Sequence, residues 1–188
     1  MTLPGPAALG LVLLLSELGL RLGRRSAPGG ARPADRSSLA LLWVTILLAL
    51  GAGVLVARAL PAWNYPMPVA GQLAALALFG AGLALRWWAI LTLGRFFTVD
   101  VAIHHDHELV TRGPYRLARH PSYTGLLVVF VALTLLYGNG AALIVVLLPI
   151  LLALLYRIRV EEEALGAAFG PAYAEYRRTT KALLPGLL

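Results

Sequence analysis

"YTGLLVVFVALTLLYGNGAALIVVLLPILLALLY", Tyr123 to Tyr156, consists of two apolar runs separated by three turn-forming residues, Gly138, Asn139 and Gly140. A connection that short folds the second run back beside the first as a helical hairpin. The runs, Tyr123 to Tyr137 and Ala141 to Tyr156, each fall short of the roughly 20 residues a helix needs to cross a hydrocarbon core. They are two tightly connected spans in a thin region or a deep hairpin. Both arrangements put Arg119 and Arg157, which flank the hairpin, on the same side of the membrane.

Working outward, three more apolar segments precede the hairpin, at Pro6 to Leu22, Leu39 to Leu60 and Pro68 to Leu91. The last two are long enough to span a bilayer. The first ends in arginines, has no basic stretch before it and lacks a small-residue cleavage site, so it reads as a membrane helix and not as a cleavable leader. The expected fold is an all-α integral membrane protein of about five transmembrane helices with a cytoplasmic, helical C-terminal region. Composition agrees. The 188 residues are 59% hydrophobic and 13% charged, with mean hydropathy +0.77, whereas soluble domains carry about 25% charged residues.

Two regions are expected: 1–91, with three spans and an Arg-rich loop at 21–38, and 92–188, which holds the hairpin 122–157 and the C-terminal helices. Basic residues orient them. Arg21, Arg24, Arg25, Arg32 and Arg36 lie in the first loop, and Arg95, Arg112, Arg116 and Arg119 in the third. Arg157, Arg159, Arg177, Arg178 and Lys181 lie in the tail, while "PAWNYPM" and "YGNG" hold no basic residue. The basic side is expected to be cytoplasmic with the N-terminus outside, as in a prokaryotic cytoplasmic membrane. The net charge of +7 then concerns orientation and anionic lipid, and no nucleic-acid partner is expected. The chain has no cysteine, which excludes disulfides, thiolate chemistry and cysteine metal sites.

Polar groups gather at His104 to Tyr123 and at Arg157 to Glu163, on the two flanks of the hairpin, and folding brings them together. Arg157 and Glu161 are one helical turn apart and face the same way, as an ordinary surface ion pair also would. Of Glu161, Glu162 and Glu163, at least one is expected to face the protein. "TRGPY", Thr111 to Tyr115, is a turn, and Pro121 starts the next helix with free backbone N–H groups behind it. Interfacial anchoring alone accounts for tyrosines at such a junction. "HHDH", His104 to His107, has zinc-ligand types, but neighbouring side chains diverge, so no metal is expected.

The ordered pair "HELVTRGPYRLARHPSYTG", His107 to Gly125, and "RIRVEEEALGAAFGPAYAEYRR", Arg157 to Arg178, resembles the isoprenylcysteine carboxyl methyltransferase family. The resemblance runs from Leu93 to Pro185 and implies S-adenosylmethionine as cofactor. It also implies cofactor contacts from His107, Glu108, Leu109 and Val110, largely through backbone, and from Tyr115, His120, Pro121, Ser122, Tyr123 and Glu161. A polar contact from Asp100 is a weaker correspondence. Arg157 would face the methyl acceptor. A carboxylate and aromatic faces suit a sulfonium cation and an ammonium group, and the cofactor's own carboxylate would find a partner around Arg119 and His120. The expected acceptor is a lipophilic or lipidated molecule entering from the bilayer, with a carboxylate that is already ionised at neutral pH. Two other readings remain: an NADPH-dependent sterol-type reductase, against which the triple glutamate counts, and a non-catalytic lipid-binding scaffold.

Overall fold

The computed structural model describes residues 3–23, 37–97 and 108–183, with the side chains of 21–23 left aside. The expected elements His104 to His107, Asp100 and most of the arginine-rich first loop therefore lie outside the described residues. Six helices are present among those described: α1 Pro6–Gly23, α2 Ser37–Ala59, α3 Val69–Leu93, α4 Pro121–Leu135, α5 Gly140–Phe169 and α6 Pro171–Thr179. Three single turns, Pro61–Trp63, Gly94–Phe96 and Gly113–Arg116, punctuate the connections.

The helix positions follow the apolar runs, and α5 is where the structure departs from the short fifth segment expected. Apolarity stops at Tyr156, but Glu, Ala, Leu and Arg are all good helix formers, so α5 runs on to Phe169 and is 30 residues long in all. At about 1.5 Å per residue it is roughly 45 Å long. It ends at Gly170, where φ is +51°, and Pro171 opens α6 at once. α2, α3 and α5 are long and apolar enough to cross a membrane, while Pro6–Leu20 and Pro121–Leu135 are apolar but shorter. Leu47, Leu48 and Leu55 on α2 are about two-thirds exposed, as side chains facing lipid are.

The hairpin arms do not chiefly pack on each other: α4 lies mainly against α3, and α5 against α2. Gly82 and Gly125 bring α3 and α4 together. A Cβ on Gly125 would stand 2.6 Å from the Gly82 carbonyl oxygen and 2.7 Å from the Arg86 nitrogen. At the end away from the charged residues, the buried Asn139 replaces a simple glycine turn with a clamp. Its Nδ2 donates to Leu60 O (2.9 Å) and Asn64 Oδ1 (2.7 Å), and its Oδ1 caps α5 by accepting from Ala142 N (2.9 Å). At the opposite end the chain after α6 pairs with the segment before α4. Arg119 N and His120 N donate to Lys181 O (2.8 Å) and Ala182 O (2.9 Å), and Thr124 Oγ1 donates to Leu183 O (2.6 Å).

Gly125→Ala is expected to cost about 1–3 kcal/mol by overpacking, read as a lower thermal midpoint in detergent. Gly80, with nothing near its Cβ position, is the control: Gly80→Ala should be neutral or stabilising by up to about 1 kcal/mol. Equal midpoints for the two variants would show that the α3–α4 contact is looser than the geometry implies.

Candidate active site

Pro121 fixes where α4 begins, and that sets the rest of the site. His120 precedes it in a non-helical conformation (φ −124°, ψ 57°), as the residue before a proline must. Its carbonyl accepts from Tyr123 N (3.0 Å) and Thr124 N (3.1 Å). This corrects one expectation: those amides are not free to meet a ligand. The His120 ring turns inward, is buried, and stacks on Tyr123 with centroids 5.7 Å apart at 19°.

Around this junction the helices line a cavity that is open on one side. Leu20 of α1, Leu39, Leu42 and Ile46 of α2 and Leu126 of α4 form an apolar wall. His120, Tyr123, Arg157 and Glu161 form the polar end, and Glu108, Leu109, Val110, Tyr115 and, from α6, Tyr173 and Tyr176 also line the cavity. Ser122 also lines the cavity. Thus nine of the expected residues besides Arg157 were placed on described chain: eight with Ser122, Tyr123 and Glu161 among them face the cavity, and Pro121 is buried behind it as the helix start. His107 lies outside the described residues.

Charges inside so apolar a shell need partners. Arg157 Nε donates to the Tyr123 hydroxyl (2.8 Å) and its NH1 to Ser38 Oγ (2.9 Å), so α5 is tied to both α4 and α2. Two of the three consecutive glutamates turn inward, and Glu163 is exposed. Glu162 takes Arg119, with Nε–Oε1 at 2.7 Å, and lies 3.3 Å from His120 Nε2. Arg119 also donates through NH1 to the carbonyls of Thr180 and of Arg177. Arg119, which also lines the cavity, therefore ties α5 to the C-terminal segment. Glu161 is the contrasting case. Its Oε2 is 3.7 Å from His120 Nδ1, beyond hydrogen-bond reach. That oxygen and the Tyr173 hydroxyl are buried without a hydrogen-bond partner among the described residues.

The phenols around the polar end stay protonated. Burial, reinforced by the Glu161 carboxylate, pushes Tyr115 well above its ordinary range. Burial raises Tyr176 to about 12 against the pull of Arg119, and its hydroxyl donates to Tyr115 O at 2.6 Å. Burial, with Glu162 next, likewise raises Tyr173.

The sequence reading missed a second charged pair on the cavity wall. Glu17 of α1 and Arg86 of α3 form a buried two-pronged ion pair, Nε–Oε1 2.6 Å and NH2–Oε2 2.7 Å. Glu17 shares the inward stripe of Leu9, Leu13 and Leu20. An ionisable residue inside an apolar span is the signal that marks both.

An all-helical integral membrane protein with a charged cavity at one end is the class these features define. The chain belongs to the isoprenylcysteine carboxyl methyltransferase (ICMT) family, whose model matches residues 73–167. It is 36% identical over 106 residues to a probable protein-S-isoprenylcysteine O-methyltransferase of Oryza sativa subsp. indica, covering 55% of this chain and 56% of that one. It is 34% identical over 116 residues to the protein-S-isoprenylcysteine O-methyltransferase of Schizosaccharomyces pombe, covering 61% and 49%. The chain thus spans about half the length of the curated relatives it matches. A solved structure of the eukaryotic intramembrane Ras methyltransferase ICMT shares the fold, with a TM-score of 0.61 at 23% identity over 97% of this chain and 65% of that one.

Replacing Arg119 by Ala removes the nearer of two arginines on Glu162, with Arg177 Nε remaining 3.4 Å from Oε2, and is expected to cost about 1–3 kcal/mol through the lost charge-assisted hydrogen bonds. The loosening should concentrate where the tail pairs, so hydrogen exchange at the Arg119 and His120 amides should quicken far more than in mid-α4. Uniform quickening would place the role of Arg119 elsewhere.

Proposed function

We propose that the protein transfers a methyl group from S-adenosylmethionine to a carboxylate on a lipophilic acceptor that enters from the bilayer. The observation that carries this reading is the buried Glu161 carboxylate oxygen, left without a donor among the described residues in a cavity that is otherwise lined largely by apolar side chains. A buried acceptor atom without a partner is costly, and an ammonium group or a sulfonium cation relieves that cost. The family membership favours this reading over the reductase. Glu161, His120, Tyr123 and Tyr115 would surround the cofactor, with Glu108, Leu109 and Val110 along one side and Pro121 fixing the register. The catalytic region is 92–188. The first 91 residues supply the apolar wall through Leu20, Leu42 and Ile46.

When bound, the sulfonium cofactor would supply an electrophilic methyl carbon to an ionised acceptor carboxylate oxygen, with the thioether as leaving group. No proton moves, so no side chain here has to act as a general base. What the chain does is position and exclude water. Arg157, held between Tyr123 and Ser38, presents its planar guanidinium to the acceptor carboxylate.

Glu161→Gln keeps the shape and removes the charge. Calorimetry in detergent should show S-adenosylhomocysteine binding weakened by about 1.5–3 kcal/mol. Arg157→Ala should hold that affinity within a few-fold while methyl transfer collapses. Equal loss of cofactor affinity in both variants would put both residues around one ligand and end this division. NADPH binding by the parent without S-adenosylhomocysteine binding would end the methyltransferase reading itself.

The arginine-rich end, which holds the site, is assigned to the cytoplasm. The chain has no native cysteine, so single-cysteine labelling reads this directly. In intact cells a probe should reach a cysteine at Ala62, exposed on the arginine-free side. A cysteine at Lys181, exposed on the other side, should be protected. The reverse pattern would invert the topology.

A further inference from the structure

Ser122 sits where the two characters of the cavity meet. It is beside Tyr123 at the polar end and one helical turn before Leu126 on the apolar wall, and it is 8% exposed. Its side chain is not idle. Arg86 NH1 lies 2.9 Å from Ser122 Oγ and 3.4 Å from Ser122 O. A guanidinium has donors only, so the serine oxygen is the acceptor and the hydroxyl proton must point elsewhere. Among the described residues no acceptor takes it, and the open side of Ser122 is the cavity. The other nitrogens of Arg86 are fixed by Glu17, so the guanidinium cannot swing into the cavity to meet an anion itself.

We infer that Ser122 is an acceptor-binding residue whose proton is aimed into the cavity by Arg86, and that Arg86 and Glu17 are positioning residues that hold it there. The ligand class is the oxygen-rich head of the lipophilic acceptor, a carboxylate on the reading proposed above, on which this inference rests. A hydroxyl that accepts from a cation is a stronger donor in turn. Glu17 cancels the charge of Arg86, so the head meets a polarised neutral donor at this corner and not the Arg86 guanidinium itself. With the head at Ser122, the tail would run along Leu126 and Leu42. This takes Ser122 away from the cofactor contacts that the resemblance implied.

The test uses the full chain in detergent, with N-acetyl-S-farnesylcysteine and lauric acid as acceptor probes and S-adenosylhomocysteine as cofactor probe. Ser122→Ala should raise the acceptor KM about tenfold, the effect of one lost hydrogen bond, with S-adenosylhomocysteine affinity unchanged. Ser122→Thr, which keeps the hydroxyl, should restore it. Arg86→Lys keeps a cation for Glu17 but loses the fork that reaches Ser122. It should raise KM as Ser122→Ala does, and the double variant should be no worse than either. A purely structural pair would instead show a lower thermal midpoint in Arg86→Lys with KM unmoved, which overturns the inference. So does an unchanged KM in Ser122→Ala, or a fall in its cofactor affinity. Should Arg86→Lys fail to fold, the Ala and Thr variants at Ser122 decide alone. If the parent binds S-adenosylhomocysteine yet methylates neither probe, this inference fails while the cofactor assignment stands. If it binds no S-adenosylhomocysteine, the proposed function fails first.

Discussion

A guanidinium buried among apolar side chains must find acceptors, because an unpaired charge there costs more than almost any packing gain returns. Three buried or nearly buried arginines set the layout of this molecule. Arg86 draws Glu17 of α1 and Ser122 of α4 onto α3. Arg157 draws Tyr123 of α4 and Ser38 of α2 onto α5. Arg119 draws Glu162 of α5 and the carbonyls after α6 onto the segment before α4. Every described helix is reached by at least one of these forks or by the chain they hold. Lysine, a single point donor, could satisfy one partner in each case but not two at fixed angles.

Apolar packing does a different job. Close contact at Gly82 and Gly125 settles α3 against α4, and α5 lies along α2, but neither pairing needs a cavity. The cavity exists because α4 starts only at Pro121 while α5 runs on past Tyr156 for 13 residues to Phe169. That overhang, about 20 Å at 1.5 Å per residue, carries Arg157, Glu161 and Glu162 beyond the apolar packing. α6 and the tail then fold back over it, and the pairing of Arg119 and His120 with Lys181 and Ala182 closes that end.

Much of this was legible in the chain. The apolar runs place five helices closely, since burial in lipid leaves backbone groups no partner but the helix itself. The hairpin turn rightly brings Arg157 beside the His120 segment. The Gly170–Pro171 break is where α5 ends. Run length did not give the length of α5, because apolarity marks where a helix is in lipid and not where it stops. The contacts of Arg119 and of Ser122 were also out of reach. Both are decided by partners distant in sequence, Glu162 for one and Arg86 for the other, and a motif read along the chain cannot show which donor is already occupied. Glu17 and Arg86 were readable in principle as lone charges in apolar helices. Their distance of 69 residues hid the pairing.

The chemistry proposed for the site also bears on why Arg86, one of three arginines on its wall, is neutralised. Methyl transfer to a carboxylate removes a negative charge from the acceptor and a positive one from the donor, so the transition state is less charged than the bound reactants. A cavity that gripped the carboxylate with an unneutralised Arg86 as well as Arg157 would stabilise the reactant more than the transition state, which lowers the rate. Glu17, by engaging Arg86 with both oxygens, takes that excess grip away and leaves a hydroxyl at the contact. On that proposal the acceptor would be oriented by directional hydrogen bonds that lose less than a full ion pair would as its charge disappears. Low dielectric strengthens the point, since separated charges inside the cavity cost most before reaction and nothing after it. On this view the carboxylate placed deep in α1 weakens binding slightly at that corner so that the bound acceptor is free to react.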